Sequence, residues 1–309
     1  MVLRRGHRRS LLPAPDRAHL ALPGRDPLHR PHPGAGHPSR AARKAGRETR
    51  GVTLPSLSIV TPSYNQGRFL EGTIRSVLDQ GYPSLDYLVM DGGSTDGSVE
   101  ILQRYQGRLR FISEKDEGQT AALNEGFRRT RGEILGWINS DDLYAPGAFE
   151  AVGRSFAANT NLEWLYGRCP IVDAAGRVIR PLVTRYKELW ARRYSYRRLL
   201  VENFISQPAV FFRRRLFERV GPLETAYHFA MDYHLWLRMG EASPPAFLDR
   251  ELAFFRISGE NKTSRSYRES FREELDAARR VAAGRHPLLL FLHAINRVKL
   301  TAAYDLLAR

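Results

Sequence analysis

Two adjacent carboxylates, Asp141 and Asp142, follow directly after a short apolar run at residues 134–138. The run predicts a buried β-strand, and Pro146 and Gly147 predict a turn just beyond it. Two acids at the tip of a buried strand repel one another and lose hydration unless a cation lies beside them. The pattern therefore indicates a site for Mg²⁺ or Mn²⁺, which proteins bind with one or two carboxylates and substrate phosphates. For these two residues alone, a turn that caps the following helix is an equally valid interpretation.

Three further polar side chains follow apolar runs that predict strands. They are Tyr64, Asp91 and Asp116, after the runs at 57–61, 87–90 and 109–112. Helical patterns separate these runs, and strands that alternate with helices predict a mainly parallel sheet with right-handed crossovers. Ligands bind at the carboxyl ends of the strands in such sheets, so we expect these side chains and the carboxylate pair to line one site.

The length and composition exclude several classes of protein. A chain of 309 residues is long enough for one large α/β domain or two modest ones. Its single cysteine, Cys169, excludes an internal disulfide and a cysteine-ligated metal, and suits a reducing compartment. The sequence has no P-loop, no dinucleotide-binding Gly-x-Gly-x-x-Gly after a strand and no Gly-x-Ser-x-Gly elbow, which argues against an NTPase, a dinucleotide enzyme and a serine hydrolase.

The net charge of +15 is unevenly distributed. Residues 1–50 contain 12 Lys+Arg and 3 Asp+Glu, a net charge of +9, which leaves +6 for residues 51–309. The mildly basic remainder suits sugar-phosphate ligands or acidic lipid headgroups and does not require nucleic acid. With seven prolines and no helical or strand period, residues 1–53 are predicted to be a disordered Arg/Pro-rich head. A targeting peptide, a nucleic-acid-binding tail and a segment without a role remain open for this head.

Several motifs occur together in a characteristic order. They are residues 58–65, 88–97, 114–118, 124–126 and 139–142, followed by 207–209 and 231–238. In order and spacing they resemble glycosyltransferase family 2, the inverting GT-A enzymes. The resemblance covers roughly residues 55–265, and several linked motifs are far more specific than any one of them.

The resemblance implies an α/β fold of the GT-A (Rossmann-like) type, with a mainly parallel sheet flanked by helices. Residues 54–265 would form the glycosyltransferase domain, with a nucleotide-binding half at 54–145 and an acceptor half at 146–265. Residues 266–309 are predicted to be a helical C-terminal tail.

The resemblance also divides the site residues by role. The expected nucleotide-sugar-binding residues are Pro62, Tyr64, Asp91, Asp116, Asp141, Arg256 and Lys262. Asp142 would hold the metal, because Asn139 stands where many relatives carry another Asp. Gln207 would contact the acceptor, and Asp232 would be the general base.

These roles agree with the chemistry of an inverting transfer. A carboxylate must take the proton of the acceptor hydroxyl, and a metal would neutralise the charge on the departing diphosphate. Alternatives remain for individual residues: Asp232 is also placed to cap a helix at 233–239, and His234 is a rival base. Arg256 and Lys262 lie in a Ser-rich basic segment that would either close over the diphosphate or remain a solvated loop.

The predicted function is a metal-dependent inverting glycosyltransferase that moves a sugar from a nucleotide-diphosphate sugar to a saccharide or lipid-linked acceptor. The setting would be cell-surface polysaccharide or glycolipid biosynthesis, in the cytoplasm. A nucleotide-sugar-binding scaffold without catalysis is the alternative. For the C-terminal helices two interpretations are open: packing on the catalytic domain, or a peripheral contact with the inner face of the plasma membrane.

Overall fold

The computed structural model of the protein describes residues 53–258 and 266–307, with side chains up to residue 302. The predicted head and Lys262 lie outside these ranges. The domain boundaries that the sequence suggests therefore stay predictions.

Strands and helices alternate through most of the described chain. In chain order the elements are β1 (Leu57–Ser63), α1 (Gly67–Leu78), β2 (Leu85–Asp91), α2 (Ser98–Arg104), β3 (Arg110–Ser113), α3 (Gln119–Arg129), β4 (Ile134–Trp137), β5 (Leu143–Tyr144), α4 (Ala148–Ala158), β6 (Trp164–Arg168), β7 (Ile171–Asp173), α5 (Pro181–Ala191), α6 (Tyr196–Leu199), a 3₁₀ turn (Gln207–Ala209), β8 (Val210–Arg213), α7 (Arg214–Val220), α8 (Met231–Ala242), β9 (Ala246–Glu251), β10 (Ala253–Ile257), α9 (Tyr267–Ala282) and α10 (Pro287–Leu307).

A seven-stranded sheet in the order β3-β2-β1-β4-β8-β6-β9 forms the centre of the fold. The strands β1 to β4 are parallel, whereas β8 runs antiparallel to both β4 and β6. In the parallel part Asp91 pairs with Ser63 on one side and with Ser113 on the other, so these strands end at one edge. A smaller sheet in the order β5-β10-β7 brings the segment after β4 next to Arg256. The expected α/β fold with a mainly parallel sheet and C-terminal helices is confirmed.

Hydrophobic residues cover both faces of the sheet. Successive side chains of a strand point to opposite faces, so Ile59 joins one buried cluster and Val60 the other. In the cluster around Val60, the rings of Trp137 on β4 and Trp236 on α8 stack with centroids 5.3 Å apart. This contact holds α8 against the central strand and so positions the beginning of the helix near the strand ends.

The C-terminal helix α9 packs on α8 through small residues. Ala277, Ala278 and Ala282 are buried in the same cluster as residues of α8, and Leu275 on the same helix is also buried. Alanine side chains allow two helices to approach closely, and residues three and four apart lie on one helix face. None of the helices in the described ranges is long and apolar enough to span a membrane.

Candidate functional site

The loops after β1 and β2 are joined by the side chain of Asn65. Its backbone adopts a left-handed conformation, with φ of 51°, which asparagine tolerates better than most residues. The Asn65 side-chain oxygen accepts a hydrogen bond from the backbone N–H of Thr95 at 2.9 Å. The backbone N–H of Asn65 donates to the Ser94 hydroxyl at 2.8 Å. Tyr64 precedes this junction and is 64% exposed, so its ring offers an open flat face at the strand end.

Asp91 is the last residue of β2 and is only 2% exposed. Its Oδ1 accepts the hydroxyl of Ser94 at 2.6 Å, and its Oδ2 accepts the Ser94 N–H at 3.0 Å and the Ser113 hydroxyl at 2.7 Å. The carboxylate therefore holds the loop between β2 and α2 in place. It does not cap α2, because Gly97 occupies the cap position. Pro62, which the sequence also assigns to nucleotide-sugar binding, is buried within β1.

Asp116 lies against the same loop and is partly buried. Its Oδ1 accepts the N–H of Gly118 at 2.8 Å. A Cβ at position 92 would stand 3.0 Å from its Oδ2, so the glycine at this position makes the close approach possible. Tyr64, Asp91 and Asp116 are thus brought to one edge of the sheet, as the sequence predicts.

The carboxylate pair after β4 combines one partly exposed and one buried acid. Asp141 is partly exposed, whereas Asp142 is fully buried, with the backbone N–H of Arg256 donating to its Oδ1 at 2.8 Å. The other oxygen of Asp142 is buried and has no hydrogen-bond partner in the part of the chain that the structure describes. Burial raises the pKa of Asp142 well above its usual range, and the charge of Asp141 raises it further. Burial also raises the pKa of Asp141, while the charge of Arg256 lowers it.

These two carboxylates fit a divalent cation. The buried oxygen of Asp142 has no partner, and a positive ion beside the pair would offset both the repulsion and the lost hydration. In the described ranges no group of three or more His, Cys, Asp or Glu is placed to hold a metal, so the pair would bind an ion that also takes ligands from substrate phosphates. The alternative that the pair caps α4 is wrong, because Gly147 occupies that cap position.

The first turn of α3 connects the carboxylate pair to α8. Gln119 donates from Nε2 to the side-chain oxygen of Asn139 at 2.8 Å. The next residue, Thr120, donates from its hydroxyl to Met231 Sδ at 2.8 Å and to the Tyr227 carbonyl at 3.2 Å. The segment after β4 and the start of α8 therefore lie on either side of one helical turn.

Gln207 makes a second connection to the central strand. Its Nε2 donates to the carbonyl of Trp137, the last residue of β4, at 2.8 Å. This bond ties the 3₁₀ turn before β8 to the strand that carries the carboxylate pair. The side chain is partly buried.

Asp232 is the second residue of α8 and is partly buried. The helix cap is Ala230, so the alternative that Asp232 caps the helix is wrong. Burial raises the pKa of Asp232 to about 6. Two smaller effects lower this pKa: the backbone N–H of Tyr233, which donates to Oδ1 at 2.7 Å, and the positive charge of Lys187. The rival base His234 is buried and packs against the Tyr227 ring, and burial lowers its pKa to about 4.

Helix α9 contributes two carboxylates that the sequence analysis did not identify. Glu273 accepts three consecutive backbone N–H groups just before α8, from His228 at 3.1 Å, Phe229 at 2.6 Å and Ala230 at 3.0 Å. For Glu274, burial and then the charge of Asp232 raise the pKa to about 8. The only trace in the sequence is two adjacent acids in an Arg-rich helical segment, which local patterns do not distinguish from a solvated helix face.

The chain is thus an α/β protein in which tyrosine and aspartate side chains lie together at one edge of the sheet. The family model of Glycosyl transferase family 2 matches residues 58–221, more than half of the chain. The chain belongs to this family, so the resemblance found in the sequence is confirmed.

Individual relatives agree with this assignment. Chondroitin synthase from Escherichia coli is 27% identical over 216 residues, which are 67% of this chain and 30% of that protein. Among solved structures, S. aureus TarS in complex with UDP-GlcNAc gives a TM-score of 0.55 at 15% identity, over 72% of this chain and 66% of that one. The mannosyltransferase PcManGT from Pyrobaculum calidifontis in complex with GDP-Man and Mn²⁺ gives a TM-score of 0.53 at 17% identity, over 87% and 86%.

The two kinds of likeness carry different weight. At these identities the structural matches support the fold alone. The chain spans between 16% and 35% of the length of three curated relatives, so their names describe proteins considerably longer than the matched segment.

Proposed function

We propose that the protein is a metal-dependent inverting glycosyltransferase that moves a sugar from a nucleotide-diphosphate sugar to a hydroxyl group. The observation that carries this proposal is the unpartnered, buried oxygen of Asp142 beside Asp141, at the strand edge where Tyr64, Asp91 and Asp116 also lie. Family membership supports the type of reaction.

The donor half would bind the nucleotide sugar along this edge. Tyr64, with its exposed ring, would stack on the base. Asp91 would accept a hydrogen bond at the edge of the base, and Asp116 would lie next to it. Asp141 would face the ribose, and the Arg256 guanidinium, 4.9 Å from the centroid of the Phe69 ring, would attract the diphosphate.

Pro62 and Lys262 complete the proposed donor residues. Pro62 is buried within β1 and shapes the strand end from which Tyr64 projects. Lys262 lies outside the described residues, and its proposed contact with the diphosphate rests on the sequence.

Mg²⁺ or Mn²⁺ would be held by Asp142, with the negative charge of Asp141 beside it. When bound, the ion supplies positive charge that stabilises the leaving diphosphate. The mannosyltransferase PcManGT, which has a similar fold, is in complex with GDP-Man and Mn²⁺. This supports Mn²⁺ as a candidate ion for the present site.

Asp232 would act as the general base. Its pKa of about 6 keeps the carboxylate ionised at neutral pH, yet basic enough to accept the proton of a hydroxyl that attacks the sugar. The neighbouring carboxyl of Glu274, with a pKa of about 8, is then protonated. Two carboxyls with separated pKa values next to each other are typical of acid–base sites. His234 is the weaker candidate, because it is buried against Tyr227.

The acceptor would enter between Gln207 and the start of α8, and would be a saccharide or a lipid-linked sugar. Relatives named chondroitin synthase and O-antigen biosynthesis protein suggest cell-surface polysaccharide or glycolipid synthesis as the setting. The proposed location in the cytoplasm rests on the sequence. Nucleic acid is not an expected partner of this site.

A donor panel tests the proposal directly. The full chain is heated with UDP- and GDP-sugars, with and without Mn²⁺, because a ligand that binds only the native state raises the melting temperature. We expect one donor to stabilise the protein, more strongly with Mn²⁺, and release of the nucleoside diphosphate when an acceptor is added. No stabilisation by any donor would contradict the proposal. Stabilisation without release, across a panel of acceptors, would favour a nucleotide-sugar-binding scaffold.

A further inference from the structure

The last helix, α10, has two faces of different character. Its inner face packs into the protein: Leu289 and Leu290 contact the core, and Nδ1 of the buried His293 lies 2.8 Å from the Leu200 carbonyl. Its outer face carries exposed apolar residues, with Leu288 68% and Phe291 62% exposed. The exposed set is Leu288, Phe291, Leu292, Ile295 and Val298. Leu288, Leu292 and Ile295, like Phe291, Ile295 and Val298, are three or four positions apart, so the five residues form one apolar stripe along the helix.

A basic groove lies beside this apolar stripe. The groove has a volume of about 420 Å³ and is lined by Arg268 and Arg272 on α9 and by Arg297 on α10. Val298, at the edge of the stripe, also borders it. No carboxylate in the described part of the chain forms an ion pair with Arg272 or Arg297. Positive charge is therefore available next to exposed apolar surface.

We propose that the apolar stripe and the basic groove dock on the surface of a membrane that contains anionic phospholipids. An amphipathic helix that lies in the plane of a bilayer buries an apolar face at the headgroup boundary and places cations near the phosphates. Each Lys or Arg near an anionic leaflet strengthens such an attachment. The stripe and the groove provide both contributions on neighbouring surfaces.

Lys299 argues for a bilayer and against a second copy of the chain. It is exposed and lies four residues after Ile295 and seven after Leu292, within the apolar stripe. A protein partner with the same surface would bury this ammonium without an acid and bring the arginines of two grooves together, which is costly. At a bilayer the long side chain reaches the headgroups while its stem lies among the apolar residues.

The proposed surface lies close to the candidate acceptor site but does not depend on the proposed activity. On the inner side of α10 the ring of His293 lies 6.1 Å from that of Tyr233, the residue next to Asp232. A helix with its side chains is roughly 10–12 Å across. A membrane on the outer side would therefore lie at least one helix diameter from Tyr233, with α10 between them.

Co-sedimentation of the full chain with vesicles tests this inference. Vesicles of phosphatidylcholine and phosphatidylglycerol are compared with vesicles of pure phosphatidylcholine. Two double variants disrupt the surface, Leu288→Ser/Phe291→Ser in the stripe and Arg272→Gln/Arg297→Gln in the groove. The matched charge control is Arg108→Gln/Arg131→Gln, which removes two exposed arginines near β3. All four side chains of the disrupting variants are accessible, and unchanged melting temperatures would show that the variants are folded.

We expect the wild type and the charge control to bind the anionic vesicles. Each disrupting variant should lose affinity for these vesicles by roughly tenfold or more. Binding to pure phosphatidylcholine should be weaker for every protein. The proposal is overturned if the wild type does not bind anionic vesicles, or if the stripe variant binds as well as the wild type. It is also overturned if light scattering shows a dimer that the stripe variant converts to a monomer while vesicle binding is unchanged.

Discussion

The proposed donor edge, at the ends of β1 to β4, and the proposed acceptor end, at the start of α8, are built in different ways. At the donor edge the carboxylates stand at the ends of adjacent parallel strands, and bonds within short motifs hold them, as Ser94 holds Asp91. At the acceptor end Asp232 lies on a helix, and the backbone before that helix is held by Glu273, more than 40 residues further along the chain. The family model covers residues 58–221 and therefore includes the first arrangement but not the second.

This difference separates what a local motif specifies from what tertiary packing specifies. A strand, a turn and a few polar residues suffice to build the donor edge wherever the same sheet forms. The environment of Asp232 requires α8 and α9 to pack together. We therefore expect substitutions at the donor edge to act mainly on donor and metal binding. Substitutions around Asp232 should act on turnover and its pH dependence.

The largest expected effect is that of Asp232→Asn. The amide has nearly the same shape but cannot accept a proton, so turnover should fall by roughly 10²–10⁴-fold while donor affinity is unchanged. Burial raises the pKa of this carboxyl from 3.8 to about 6, so the charged form destabilises the folded chain above that pH. At neutral pH the free energy of unfolding of the neutral variant should therefore equal that of the wild type or exceed it by up to about 1–3 kcal/mol.

Initial rates, donor titrations and melting curves measure these effects. His234→Gln is the control on the same helix and should retain most of the activity. Normal turnover of the Asn variant would exclude Asp232 as the base and remove the contrast between the two ends.

Metal dependence is the next largest effect. Asp142→Asn keeps an oxygen near the Arg256 N–H but removes the charge, so stimulation by Mn²⁺ or Mg²⁺ should be lost. Asp141→Asn is the matched variant, and comparison of the two shows which carboxylate contributes more. Rates are measured over a metal titration and in EDTA. Full wild-type activity in EDTA would show that the enzyme needs no metal.

A smaller effect is expected for Tyr64→Ala. Stacking of a base on an aromatic ring is worth about 1–3 kcal/mol, so donor affinity should fall roughly tenfold. The ring is 64% exposed, so the fold should not change. Tyr64→Phe keeps the flat face and should bind the donor as the wild type does. Equal affinity in all three proteins would remove this residue from the donor site.

The smallest effect concerns the pH profile. Activity should fall below about pH 6 as Asp232 is protonated. It should fall again above about pH 8, because a second negative charge on Glu274 repels Asp232 and weakens the packing of α9 on α8 that holds it. Glu274→Gln stays neutral, so it should be nearly as active as the wild type at pH 7 and should lose the decline at high pH. The test is kcat/KM measured across the pH range for both proteins. An unchanged decline would show that Glu274 does not govern it.

The sequence predicts the parallel part of the fold and the order of the strand-end residues, because both depend on short periodic runs and on motifs of adjacent residues. It does not reveal β9, an edge strand in which three charged residues follow the apolar residues 246–248. Nor does it reveal Glu273 and Glu274, because their neighbours in space are distant along the chain. For α10 the packing interpretation holds for one face, whereas the other face is exposed and its contact with a membrane stays a proposal.

The three N–H groups that share the Glu273 carboxylate have a kinetic consequence. Amides held by one common acceptor lose their protection together when that acceptor moves away. Hydrogen–deuterium exchange at residues 228–230 should then proceed as one cooperative event, on a timescale set by the separation of α9 from the start of α8. The exchange rate of this short segment would report how often the acceptor end opens.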